Sequence, residues 1–182
     1  MGDVILLALL AVFVVLVALF NRLVRDRNQV TTAWSDVDVQ LQRRHDLIPR
    51  LVTIVGAYAA HEAGVLQRVS AERQRARAAH GPHARGEIEQ ELDRDLVQLV
   101  ALAEDYPELK ASDTFMTLHT QLVAVENDLQ SARRFYNGSV RQYNNRVEQF
   151  PHLLVARAFA FRTAEFFAAG VDAYAPVTVD LT

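Results

Sequence analysis

Residues 4–20 read VILLALLAVFVVLVALF, seventeen positions without a polar side chain. That is the short end of the ~17–25 residues a helix needs to cross a bilayer. Asp3 bounds the run on one side, and Asn21 with Arg22 on the other. The competing readings are a buried core helix and a cleaved signal sequence. A signal sequence wants a basic start and a small-x-small cleavage site. Met1-Gly2-Asp3 carries no basic side chain, and Leu19-Phe20-Asn21 is a poor cleavage site. The run is therefore expected to be an uncleaved transmembrane anchor, with Val4 at its start, Leu10 near its middle and Phe20 at its end. Gly2 invites a myristoylation reading, but Leu6 occupies the position where that motif needs Ser or Thr.

The flanks orient the span. Arg22, Arg25 and Arg27 outweigh Asp26 just beyond it, whereas the short N-terminal side offers Asp3 and the α-amino group. Positive residues stay inside, so a single-pass protein of the cell membrane is expected, with its long C-terminal part in the cytoplasm.

Outward from the span, apolar residues recur at helical spacing. Val30, Trp34, Val37, Leu41, His45, Ile48, Val52, Val55 and Ala59 step by threes and fours, and Leu66 and Val69 continue the series. Pro49 interrupts it chemically. It has no N–H to give the carbonyl of His45, and it pushes Ile48 away from helical geometry. Two outcomes are compatible with this: a helix that kinks and continues, or a chain reversal with Asp46 capping the next helix. The pattern ends near Ala79, and His80-Gly81-Pro82-His83 is a stop. A further helix is expected from about Gly86 to Asp105, with Ile88, Leu92, Leu96, Leu99 and Ala103 on one face. Tyr106-Pro107 ends it. Ser112 or Asp113 then caps a long helix whose stripe, from Phe115 to Val147, keeps near-heptad spacing. Phe150-Pro151 terminates that stripe. A short helix at about 152–158 follows, and Ala175–Asp180 reads as extended. Five of the nine phenylalanines fall between Phe150 and Phe167, among them Phe159, Phe161, Phe166 and Phe167. A tail so apolar is expected to dock, on its own bundle, on a neighbouring subunit or in the lipid interface, with a preference for protein.

Composition removes several functions. There is no cysteine, so disulfides, zinc–thiolate sites and thiol catalysis are out. The net charge of −3 argues against nucleic-acid binding. Seven glycines and five prolines leave few turn signals in a chain that is mostly helix former. His61-Glu62 lacks the second histidine of a zinc-protease helix, no Glu is followed three residues later by His, and no phosphate-cradling glycine loop occurs. No catalytic residue, metal or cofactor is therefore expected. The carboxylates at Asp36/Asp38, Glu87/Glu89/Glu91 and Glu126/Asp128 read as solvated faces and caps. The basic stretch Arg133, Arg134, Arg141 and Arg146 has two readings, a face toward anionic lipid and, preferred, a solvated face. One polar cluster stands out. Arg43, Arg44, His45 and Asp46 interrupt the long apolar stripe beside Pro49. The bland reading is a helix surface with one satisfied polar core position. The sharper one is a polar joint of Arg44, His45, Asp46 and Pro49, in which His45 or an arginine bonds the freed carbonyl or pairs with an acid on a facing helix and sets register.

Several motifs together resemble the LemA family. They are Ala33-Trp34-Ser35-Asp36-Val37-Asp38-Val39-Gln40-Leu41, Arg43-Arg44-His45-Asp46-Leu47-Ile48-Pro49, Gly56-Ala57-Tyr58-Ala59-Ala60-His61-Glu62, Tyr106-Pro107-Glu108-Leu109-Lys110-Ala111-Ser112, Ala132-Arg133-Arg134-Phe135-Tyr136-Asn137, Val140-Arg141-Gln142-Tyr143-Asn144 and Phe150-Pro151. The match runs in order through nearly the whole chain, with Gly64 and Arg50 as departures. The resemblance implies a single-pass bacterial membrane protein with an antiparallel, up-and-down four-helix bundle. It favours reversal at Pro49. It implies no catalytic activity, and roles in membrane organisation and the cell envelope. The resulting organisation is an anchor at 1–21, a bundle at 22–150 and an aromatic-rich tail at 151–182. The expected function is a self-associating scaffold on the bilayer; the alternative is an adaptor for another envelope protein, such as a membrane protease or transporter.

Overall fold

The computed structural model describes residues 1–168, and the extended reading of Ala175–Asp180 lies outside them. The described residues are helical, with no strand among them. α1 runs from Gly2 to Tyr58, a 3₁₀ turn spans Ala60–Glu62, and α2 covers Ala63–Ala78. Then come α3 (Pro82–Glu104), the single turn α4 (Pro107–Lys110), α5 (Asp113–Glu148) and α6 (His152–Ala158).

The apolar run and the first amphipathic stripe are one helix. α1 continues for 57 residues with Pro49 inside it. The reversal favoured at Pro49 is thus corrected: the helix carries on, and the chain turns only after Tyr58. A proline inside a helix removes one hydrogen bond. Here the carbonyl it strands, that of His45, receives a 2.7 Å hydrogen bond from Arg73 Nε on α2. Continuation therefore leaves no unpaired backbone oxygen at that point. α3 begins four residues before the expected Gly86. Gly81 takes φ 85°, which is easy only for glycine, and Pro82 follows in the first turn, where a missing N–H costs nothing.

Among the described residues the chain divides into two compact units, residues 1–40 with 128–166, and residues 41–127 with 167 and 168. In the first, Leu23, Val30, Ala33 and Val37 of α1 are buried, as are Leu129, Tyr136, Val140, Tyr143 and Val147 of α5 and Val155 and Ala156 of α6. The rings of Trp34 and Tyr136 lie 5.3 Å apart, and Arg146 pairs with Asp26, so α1 and α5 run antiparallel here. In the second unit, Ile48, Leu51 and Val55 of α1, Val69 and Ala76 of α2, Leu92, Leu96 and Leu99 of α3, Leu109 of α4, and Phe115 and Leu118 of α5 share one core. Arg68 to Asp95 (3.6 Å) and Arg75 to Glu91 (3.0 Å) bind α2 and α3 as an antiparallel pair.

Candidate functional site

The phase of the core stripe on α1, Leu41 to Ile48 to Leu51, brings positions 44 and 45 inward. Arg44 is 1% exposed and His45 2%. On α3, Glu89 stands one step before Leu92 in the buried series and is fully enclosed. Arg44 Nη1 lies 3.2 Å from Glu89 Oε2, and its other terminal nitrogen pairs with Asp93, one turn further along α3. Arg44 Nε is 3.7 Å from Glu126 Oε2 on α5. His45 Nε2 meets the second Glu89 oxygen at 2.8 Å. Arg73 completes the cluster through the His45 carbonyl. One guanidinium thus faces three carboxylates, two from one helix and one from another. The planar fork of arginine suits such multiple engagement better than an ammonium would.

Of the four residues of the expected joint, Arg44 and His45 are enclosed in this network, while the side chains of Asp46 and Pro49 are exposed. The reading of Glu89 as part of a solvated acidic face is corrected: it is the buried anion of the cluster, because its position falls on the core phase of α3 while Glu87 and Glu91 point outward. The spacing 89, 92, 96, 99, 103 carries that signal. Glu126 is likewise partly enclosed, whereas Asp36, Asp38 and Asp128 are exposed. Arg146, read as part of a solvated basic stretch, instead pairs with Asp26, which is 3% exposed. Burial, with Arg22 nearby, lowers the pKa of Arg146. Among the described residues no group of three or more His, Asp and Glu side chains is arranged to hold a metal ion.

The aromatic residues divide. Phe20 meets Phe159 edge-on at 4.9 Å and Phe161 at 5.6 Å between ring centres. The Arg27 guanidinium covers the Phe161 ring at 5.2 Å. Phe166 is exposed, while Phe167 is buried in the second unit. Between Phe161 and Phe166 the chain is tied to α5. The Asn144 amide exchanges two hydrogen bonds with the backbone of Ala164 (2.9 and 2.8 Å), and the Tyr136 hydroxyl donates to the Glu165 carbonyl at 2.7 Å. Burial, with the Glu165 carboxylate adding, pushes the Tyr136 phenol up to about 12. The side chains from Val4 to Val17, Leu10 included, are exposed, and Phe20 is half-buried at the end of the run.

The profile of the LemA family matches residues 33–181. Magnetosome protein MamQ of Magnetospirillum gryphiswaldense is 25% identical over 187 residues, covering 88% of this chain and 69% of the relative. Magnetosome protein MamQ 2 of Paramagnetospirillum magneticum is 24% identical with the same coverage. Protein LemA of Metamycoplasma hominis is 23% identical over 131 residues, 71% of this chain and 60% of that protein.

Proposed function

The chain belongs to the LemA family, and from that premise we propose that it is a non-enzymatic, single-pass membrane scaffold that self-associates in organising the membrane or cell envelope. One observation carries the reading. Twelve large apolar side chains between Val4 and Val17 are exposed on a helix that continues without interruption into the folded body. Moving them from water into lipid is worth about 20–35 kcal/mol at ~1.5–3 kcal/mol each, more than the ~5–15 kcal/mol that holds an ordinary domain together. Residues 1–21 are the anchor, 22–150 form the bundle of four helices, and 151–182 are the tail. Arg22, Arg25 and Arg27 favour a cytoplasmic body. The charged cluster supports a structural role: its carboxylates are spent on Arg44 and His45 rather than presented to a substrate. Within the body, Val97, Met116, Val123 and Phe135 are exposed apolar side chains suited to contacts between copies. The relatives called magnetosome proteins take their names from a cellular structure rather than from a reaction.

The test is the mass of the full-length protein in mild detergent beside a form lacking residues 1–28, with particle images of both. A large uniform assembly that needs the membrane segment is expected. Monomers in both forms would reject self-association and leave the adaptor reading, with crosslinking to a single heterologous envelope protein as its sign.

A further inference from the structure

α6 lies beside the apolar half of α1. Val12, Leu16 and Leu19 of α1 and Pro151, Leu154 and Val155 around α6 line one apolar groove. The contact extends past the helix end, where Phe159 and Phe161 close on Phe20. α6 hides one face, with Val155 and Ala156 buried. Leu154, at the open edge of the groove, is 60% exposed, with Phe150 at 79% and Phe159 at 63% on the flanks of α6.

Depth follows from this pairing. Val12 to Leu19 rises about 10 Å along α1 at ~1.5 Å per residue, and the whole stretch lies inside the unbroken apolar run of 4–20. A segment packed against those residues shares their depth. Whatever surrounds Val12–Leu19 therefore also meets Leu154, and Phe159, packed on Phe20, sits at the end of the same apolar run. Charges mark the upper limit of this layer. Arg22 follows directly on the apolar run, and Arg146 and His152 stand close enough to it for both arginines to hold down the His152 pKa, after burial. Arg157 is exposed on α6, on a long stem that reaches from an apolar layer to a phosphate layer.

We propose that α6, with Phe150 and Phe159, is a second membrane-contacting element: a short helix whose open face inserts among the acyl chains of the leaflet nearest the folded body, with phospholipid as its partner. The proposal rests on the reading of residues 4–20 as membrane-spanning. It makes the protein asymmetric in the bilayer, since one leaflet holds α1 together with α6 and its aromatic flanks, and the other holds α1 without them. Added cross-section in one leaflet is a wedge.

The chain has no cysteine, so single probes are unambiguous. Full-length Leu10→Cys, Leu154→Cys, Phe159→Cys and Ser131→Cys proteins carry an environment-sensitive fluorophore in vesicles of phosphatidylcholine and phosphatidylglycerol. Doxyl quenchers sit on the acyl chain at shallow or deep positions. The expected result is several-fold stronger quenching at positions 10, 154 and 159 than at 131, with 154 and 159 favouring the shallow quencher. Quenching at 10 with 154 and 159 matching 131 would overturn the wedge and leave the anchor standing. A blue-shifted but unquenched probe at 154 would also overturn it, since protein and not lipid would then cover α6. Loss of quenching at 10 as well would remove the membrane-spanning reading beneath it.

Discussion

The Nε–H of Arg73 donates a 2.7 Å hydrogen bond to the main-chain carbonyl of His45, the oxygen that Pro49 leaves without a helical donor. Twenty-eight residues of chain separate the two, and the bond ties α2 to α1 at the one place where α1 lacks its own ladder. The donation replaces a bond that any other residue at 49 would supply. Arg73→Met is expected to cost about 1–2 kcal/mol. In a Pro49→Ala background the helix regains its own N–H, and the same Arg73 change should cost less than half as much. Urea unfolding of the four proteins in detergent, followed by helical circular dichroism, reads the coupling. Equal costs in both backgrounds would show that Arg73 acts only through its side-chain packing.

The pattern of the α1 series made half of this legible. A basic pair and a histidine inside an apolar stripe, four residues before a proline, mark a place where something polar must be satisfied. The partners were harder to see. Arg73 sits in a polar run, VSAERQRARA, that looks like any solvated helix. Glu89 alternates with Glu87 and Glu91, and a stripe that starts at Ile88 leaves it one residue outside the core face of α3. Asp26 was hidden differently. In the sequence it is one acid outweighed by membrane-flanking arginines, yet 23, 26, 30, 33, 37, 41, 44 and 48 are one buried series. Two of its eight members, Asp26 and Arg44, are charged, and each is paired. Phase alone shows which positions turn inward; it does not show which charged residue on another helix will meet them. The helix through Pro49 is a case of tertiary rescue that local backbone rules do not contain.

Arg44→Met leaves the fully enclosed Glu89 with the His45 ring but without its guanidinium, and takes that guanidinium from Asp93 and Glu126 as well. Removing one partner of a buried ion pair costs about 3–5 kcal/mol. Arg44→Lys should cost nearly as much, since one ammonium cannot span three carboxylates on two helices. Arg44→Met combined with Glu89→Leu should cost clearly less than the two single changes added together. Thermal melts in detergent check the set, and strict additivity would mean that the pair does not act as a unit.

Gly86 is required by a close approach and not by its backbone angles. A Cβ at this position would lie 2.6 Å from the backbone nitrogen of Ala168 and 2.9 Å from its Cβ. Backbone cannot swing aside as a side-chain tip can. Gly86→Ala ordinarily favours a helix by about 0.5–1 kcal/mol; here it should destabilise by about 1–3 kcal/mol through overpacking. Gly138→Ala, on α5 with nothing within 4 Å of its Cβ, is the matched control and should stabilise slightly. Limited proteolysis after residue 160 should accelerate for the first variant and not for the second.

Tyr136 holds the segment after α6 through its hydroxyl, which donates to the Glu165 carbonyl at 2.7 Å. Only the protonated phenol can donate. Burial raises its pKa from 10.0 to about 12, and the negative Glu165 acts in the same direction. The folded-state value lies above the unfolded one, so the stabilisation is fully present below pH 10 and is lost as pH rises through about 12. Tyr136→Phe should cost about 1 kcal/mol at neutral pH. It should also flatten the fall in stability across that alkaline window, because the group whose titration drives the fall is gone. Tyrosinate absorbance followed together with circular dichroism separates ionisation from unfolding. If the Phe variant loses stability over the same pH span as the parent protein, another group is responsible, and Tyr143, whose pKa burial also raises, is the next to change.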